Sequence, residues 1–150
     1  MKFLIALAFS FLISPSTFAG GNSGGGGVFI ELDVLAVRTF LNENCDLFES
    51  FKKHQVNCTL FRKKIDEVGL LGEGLSIEES HLFLGDGKAV DAINHLPAKV
   101  EIGQPGWQTA GTDVSLKVGL EAHEFLSLLG FEHTGYYPVS KDLVNELRTS

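Results

Sequence analysis

The residues of this chain whose types and spacing point to chemistry lie in one segment, His123-Glu124-Phe125-Leu126-Ser127-Leu128-Leu129-Gly130-Phe131-Glu132-His133. Adjacent His and Glu on a helix form the first half of H-E-x-x-H. In that pattern two histidines four residues apart project from one face and hold zinc, while the glutamate polarises the metal-bound water. In the long form of the pattern, a glycine three residues after the second histidine turns the chain back, and a third ligand follows three residues later. The segment matches the long form at His123, Glu124, Gly130 and His133, and departs from it at Ser127, where the second histidine belongs. A neutral hydroxyl is a poor zinc ligand beside an imidazole, and a catalytic zinc needs three protein ligands and an open position for water. Candidate replacements outside the pattern are His81, His95, Glu132, Tyr136 and Tyr137, and no spacing selects among them. Each motif residue also has a plain structural role open to it. His123 can hydrogen-bond a neighbour, Glu124 can be solvated or pair with Lys117 or Arg148, Gly130 can cap a helix, and His133 can sit on a surface loop.

From about Val90 to Ser140 the chain resembles a zincin: an edge-type strand, a loop, a helix bearing His-Glu, a glycine turn, then Tyr136 and Tyr137. Over His-Glu-Phe-Leu-Ser-Leu-Leu-Gly-Phe-Glu, with Tyr137 and Ser140, it is similar to a segment of short exported bacterial proteins of unassigned function. The resemblance covers about a third of the chain and does not reach a methionine turn, because the only methionine is Met1. It implies a minimal zincin-like core with His123 and His133 as metal ligands and zinc as cofactor. It further implies Glu124 as general base and Tyr137 as a donor to a developing oxyanion. With Ser127 in place of a ligand, the expected function is a binding or structural module without peptidase activity. The alternative is an active zinc-dependent hydrolase whose third ligand comes from outside the motif.

The elements that must position these residues follow from hydrophobic periodicity. Ile30, Val34, Val37, Leu41, Cys45 and Phe48 recur at three- and four-residue steps, which predicts a helix over 28–54 interrupted near Asn42 to Asn44. Leu60, Phe61, Ile65 and Val68 predict a second helix over Thr59 to Val68, with Asn57 as its cap. Beyond Gly69, Gly72 and Gly74, alternating residues predict three short strands over 75–84, 88–96 and 99–102, with Gly85-Asp86-Gly87 as a hairpin turn. Gly103 to Gly111, with Pro105 and Trp107, reads as a loop, and Trp107 is expected to pack over the start of the next helix. That helix carries Val114, Val118, Ala122, Phe125, Leu126 and Leu129, with Thr112 or Asp113 as its cap and Gly130 as a left-handed stop. Ser140 is expected to cap a last short helix, Lys141 to Leu147. Helices, a small mostly antiparallel sheet, the His-Glu helix and a terminal helix make an α+β fold.

Residues 1–19 read as a secretory signal: Lys2, an apolar run from Phe3 to Ile13, then Thr17-Phe18-Ala19 as a cleavage site. The apolar run, about 11 residues, falls short of the ~20 that cross a bilayer. Residues 20–27 are glycine-rich and read as a flexible leader, and 28–150 as a single domain. Export to a periplasmic or extracellular space makes Cys45 and Cys58 a disulfide pair; they lack the C-x-x-C spacing of a zinc knuckle. Loss of Lys2 from the 12 basic residues leaves 11 against 19 acidic ones, a net charge of −8. Such a surface repels phosphate backbones and anionic membranes, which leaves a protein or peptide as the expected partner. An acidic face or exposed aromatic side chains offer an interaction surface that needs no motif.

Overall fold

Ile30, Val34, Val37 and Leu41 form the buried stripe of helix α1 (Gly25–Asn44), which takes in the last three glycines expected in the leader. A computed structural model of the chain describes residues 25–150; the signal segment and the rest of the leader lie outside the described residues. The expected interruption is present. The chain tightens into a 3-10 turn, Cys45–Leu47, and resumes as α2 (Glu49–Lys53). Helix α3 (Cys58–Val68) starts where Asn57 accepts the Leu60 N–H at 3.0 Å and buries Phe61, Ile65 and Val68. Cys45 and Cys58 are disulfide-bonded, tying the end of α1 to the first turn of α3. The closed loop restricts the unfolded chain, so a Cys45→Ser/Cys58→Ser variant is expected to lose about 3 kcal/mol. Urea unfolding of the two proteins side by side checks this; coincident midpoints would contradict it.

The segment expected as three strands divides into five. β1 (Leu75–Glu78), β2 (Leu82–Phe83), β3 (Ala89–Val90), β4 (Ala92–His95) and β5 (Lys99–Gly103) follow one another in the chain. β2 and β3 pair as a hairpin across Gly85-Asp86-Gly87, where the Asp86 side chain accepts the Lys88 N–H and Gly87 has a φ of +81°. β4 and β5 are antiparallel, with Ala92 opposite Ile102, through a turn containing cis Leu96-Pro97. β1 lies parallel to β5, with Leu75 opposite Val100, so the sheet has the order β1-β5-β4. Two of the three pairings are antiparallel. The parallel one is made possible by the β2–β3 hairpin and β4, which carry the chain back before it re-enters as the central strand. Val100 and Ile102 of that strand are fully buried, while β4 is left as an edge.

Where a loop was expected after β5, the chain forms a short helix, α4 (Gln104–Thr109). Pro105 in its first turn suits helical φ, and Trp107 anchors it: the ring is buried and its Nε1 donates to Asp33 at 2.8 Å. The central helix is α5 (Val114–Leu128), capped by the Asp113 side chain on the Leu116 N–H. It ends at Gly130, φ +80°, where the Phe131 N–H bonds Leu126 O at 2.9 Å and the Gly130 N–H bonds Ser127 O at 3.0 Å, a Schellman closure. Helix α6 (Pro138–Thr149) begins three residues earlier than expected, because Pro138 starts it and a carboxylate described below takes its first free N–H groups. Glu146 of α6 in turn accepts the Glu49 and Ser50 N–H groups at the start of α2. α5 packs on α1, α3, α6 and β4. Its Phe125 closes a run of edge-on rings through Phe61, Phe51 and Phe48, with centroids 5.1–5.9 Å apart. The fold is α+β, with the His-Glu helix at its centre.

Candidate functional site

His123 and Glu124 lie on α5 beneath the edge strand β4, and both are buried. The Glu124 carboxylate accepts the Asn94 side-chain amide of β4 at 2.8 Å. It does not pair with Lys117, which binds Asp33, nor with Arg148, which binds Asp113. Burial pushes the Glu124 carboxyl above the usual carboxylate range, and the Asn94 hydrogen bond opposes that only in part.

His123 is held on three sides. Its Nδ1 meets Glu132 Oε2 at 2.8 Å, its Nε2 faces Ser127 Oγ at 3.4 Å, and its ring meets Tyr137 edge-on with centroids 4.4 Å apart. The second oxygen of Glu132 accepts the backbone N–H groups of Val139 and Ser140 at 2.7 and 2.8 Å. Burial raises the Glu132 pKa, but the hydrogen bonds from His123 and Ser140 outweigh it, and the net shift is downward. Glu132 is therefore an ionised acceptor at neutral pH, and the Nδ1 of His123 carries the proton it receives. The expected cap, Ser140, sits in the first turn of α6 as a donor to the true one. By spacing alone Glu132 is no more than a spare metal donor. Pro138 lies six residues after Glu132, so nothing local marks the carboxylate as the acceptor for the first N–H groups of α6, and its role is visible only once the turn is known.

His133 goes elsewhere. It is exposed, forms an isolated bridge with Tyr136, stacks on that ring at 5.2 Å and points its Nδ1 toward Thr134 O at 3.2 Å. His81 is exposed, and His95 lies at the outer end of β4 with its Nε2 3.4 Å from Glu101. Among the described residues no three His, Cys, Asp or Glu side chains come together as a metal-holding group. A zinc ligand set does not fit the side chains as they stand. His123 has one nitrogen committed to Glu132 and the other facing a serine hydroxyl, and His133 belongs to the surface turn.

The motif thus brings together His123, Glu124, Ser127, Glu132 and Tyr137, and leaves His133 outside. Two clefts meet at this cluster. One of about 610 Å³ runs between α4, α5 and α6 along Leu116, Leu120 and Val144. The other, about 430 Å³, lies under β3 and β4 and is lined by Asn94, Glu124 and Thr134. Asp91, Leu120, His123 and Tyr137 line both. What the arrangement offers is an oriented imidazole, a buried carboxyl and a phenol at the junction of two small clefts. Comparison with family models, with curated proteins and with solved structures finds no match to this chain.

Proposed function

We propose that this is an exported protein with a zincin-like core that does not hydrolyse peptides and acts as a binding module through the cleft at His123. The observation that carries the reading is the position of Ser127: a hydroxyl, not a second imidazole, faces Nε2 of His123. Glu132 supports it, since its carboxylate joins the His-Glu helix to the start of α6 through hydrogen bonds with His123, Val139 and Ser140. Export is supported by the Cys45–Cys58 disulfide, which suits an oxidising compartment. No helix among the described residues is long and apolar enough to cross a membrane. The zincin-like character rests on the match at His123, Glu124, Gly130 and His133, together with the edge strand β4 lying across the His-Glu helix.

Elemental analysis of the purified mature protein is expected to find no stoichiometric zinc, and a casein-type substrate is expected to stay intact. Ser127→His adds an imidazole one turn after His123 but leaves His133 on the surface turn, so that variant too is expected to hold no stoichiometric zinc. A parent protein that holds one zinc per chain and cleaves casein would end this reading.

A further inference from the structure

We propose that Ser127, His123 and Glu132 form a nucleophile, base and orienting carboxylate that transfer acyl groups from small apolar esters without a metal. This goes beyond binding to a chemistry of the same cleft. Four contacts define it. Ser127 Oγ lies 3.4 Å from Nε2 of His123, and the opposite nitrogen, Nδ1, lies 2.8 Å from Glu132 Oε2. Glu132 is itself fixed by two backbone N–H groups at 2.7 and 2.8 Å. Acyl-transfer triads are recognised by these roles and not by chain order or fold. A carboxylate can only accept, so it holds the Nδ1 proton and leaves the Nε2 lone pair facing the serine hydroxyl.

A helical Ser–His contact four residues apart with a capping carboxylate is also a common structural arrangement. Two features set this one apart. The imidazole, though buried, lines both clefts, of about 610 and 430 Å³, so one side of the ring faces space that a small ester can enter. Ser127 lines neither cleft, but it is half-buried one helical turn on, with its Oγ 3.4 Å from the ring that lines both. The larger cleft offers Leu116, Leu120 and Val144 to a short apolar acyl or alkyl group. Tyr137, against the His123 ring, brings a phenol to the same wall as a donor to the oxyanion.

The step balances with water as the only co-reactant. Ser127 Oγ bonds the ester carbonyl carbon as its proton passes to His123 Nε2. The carbon–oxygen bond to the alcohol then breaks, and the alcohol leaves with that proton. Water next gives a proton to Nε2 while its oxygen bonds the acyl carbon. The bond from that carbon to Oγ breaks, the proton returns to Ser127, and a carboxylic acid is released.

The test is treatment of the mature protein with a fluorophosphonate, read by intact and peptide mass, alongside p-nitrophenyl butyrate hydrolysis. The expected result is one adduct per chain, on Ser127, and a p-nitrophenol burst approaching one equivalent. Ser127→Ala is expected to lose the adduct and to fall to the rate of buffer. Ser127→Cys is expected to be alkylated by iodoacetamide faster than a free thiol, because His123 takes its proton. Glu132→Gln keeps an oxygen for the α6 N–H groups but turns an amide toward Nδ1, and is expected to lower kcat about 10²-fold or more at unchanged KM. A folded parent that takes no adduct, an adduct that persists in Ser127→Ala, or an unchanged kcat in Ser127→Ala or Glu132→Gln overturns the triad. Zinc content and casein cleavage are read separately, so the binding reading and this one fail independently.

Discussion

Arg38→Met is expected to lose about 3–5 kcal/mol of stability at pH 8, because it strands a buried carboxylate. Arg38 and Glu121 are both buried, and the guanidinium Nε lies 3.1 and 3.3 Å from the two Glu121 oxygens. Its Nη1 donates to Gly69 O at 2.9 Å, and its carbon stands 5.1 Å from the Phe125 centroid, so one side chain joins α1, α5 and the end of α3. Burial pushes Glu121 from 4.5 up to about 7; attraction and hydrogen bonding from Arg38 pull it down, while the nearby Glu124 charge adds to the rise. An acid with a raised folded pKa binds its proton more tightly when folded. Its contribution to stability is full below the unfolded value of about 4.5 and declines as pH rises through about 7. Removing Arg38 raises the folded pKa further, so the loss is expected to be larger at pH 8 than at pH 5 by about 1.4 kcal/mol, the growth that one pH unit above the parent's value of about 7 permits. This comes on top of the pH-independent loss of the Gly69 hydrogen bond and the packing on Phe125. Arg38→Met/Glu121→Leu removes both charges and should recover most of it. Urea unfolding at the two pH values decides the matter. Equal losses at both would mean that Arg38 acts through packing alone.

That pair also marks where a sequence stops being legible. Helix α5, its Asp113 cap and its Gly130 stop were readable because each depends on neighbours within one or two turns. The same holds for the Asn57 cap, the break after Asn44 and the Gly85-Asp86-Gly87 hairpin. The parallel β1–β5 pairing was not readable, since alternation fixes which face is buried but not which strand lies alongside or in which direction. Helix α4 was hidden because Trp107, the residue that holds it, finds its hydrogen-bond partner at Asp33 in α1. Nothing local marks Arg38, one residue past Val37 on the buried stripe, as the partner of Glu121.

At the candidate site the same limit explains why His133 lies away from His123. The motif offset assumes that the turn after Gly130 returns the residue at 133 to the His-Glu helix. The turn is made as expected, but the chain leaves it extended, and successive residues there face opposite sides. Glu132 is buried against His123 and His133 is exposed beside Tyr136. A register difference of one residue replaces an imidazole by a carboxylate beside His123. That exchange leaves His123 hydrogen-bonded to a carboxylate.

Glu132→Ala should therefore be the most damaging single change at the site, costing roughly 3–5 kcal/mol: the loss of a helix cap plus buried donors left unpaired. Three groups lose their acceptor at once, the N–H of Val139, the N–H of Ser140 and Nδ1 of His123. The Tyr137 side chain makes no capping hydrogen bond to α6, so no local side chain substitutes. The damage should be local before it is global, with Val139 and Ser140 amide exchange accelerating while the Val100 and Ile102 amides of β5 keep their protection. Glu132→Gln separates the two functions of the carboxylate. Its amide oxygen can still accept both α6 N–H groups, whereas its NH₂ faces the Nδ1 proton and drives His123 to the other tautomer, at a cost of about 1–2 kcal/mol. If Glu132→Ala unfolds at the parent's urea midpoint, the His123–Glu132–α6 connection contributes nothing. If Glu132→Gln is as damaging as Glu132→Ala, the orientation of His123 and not the cap is what the carboxylate secures.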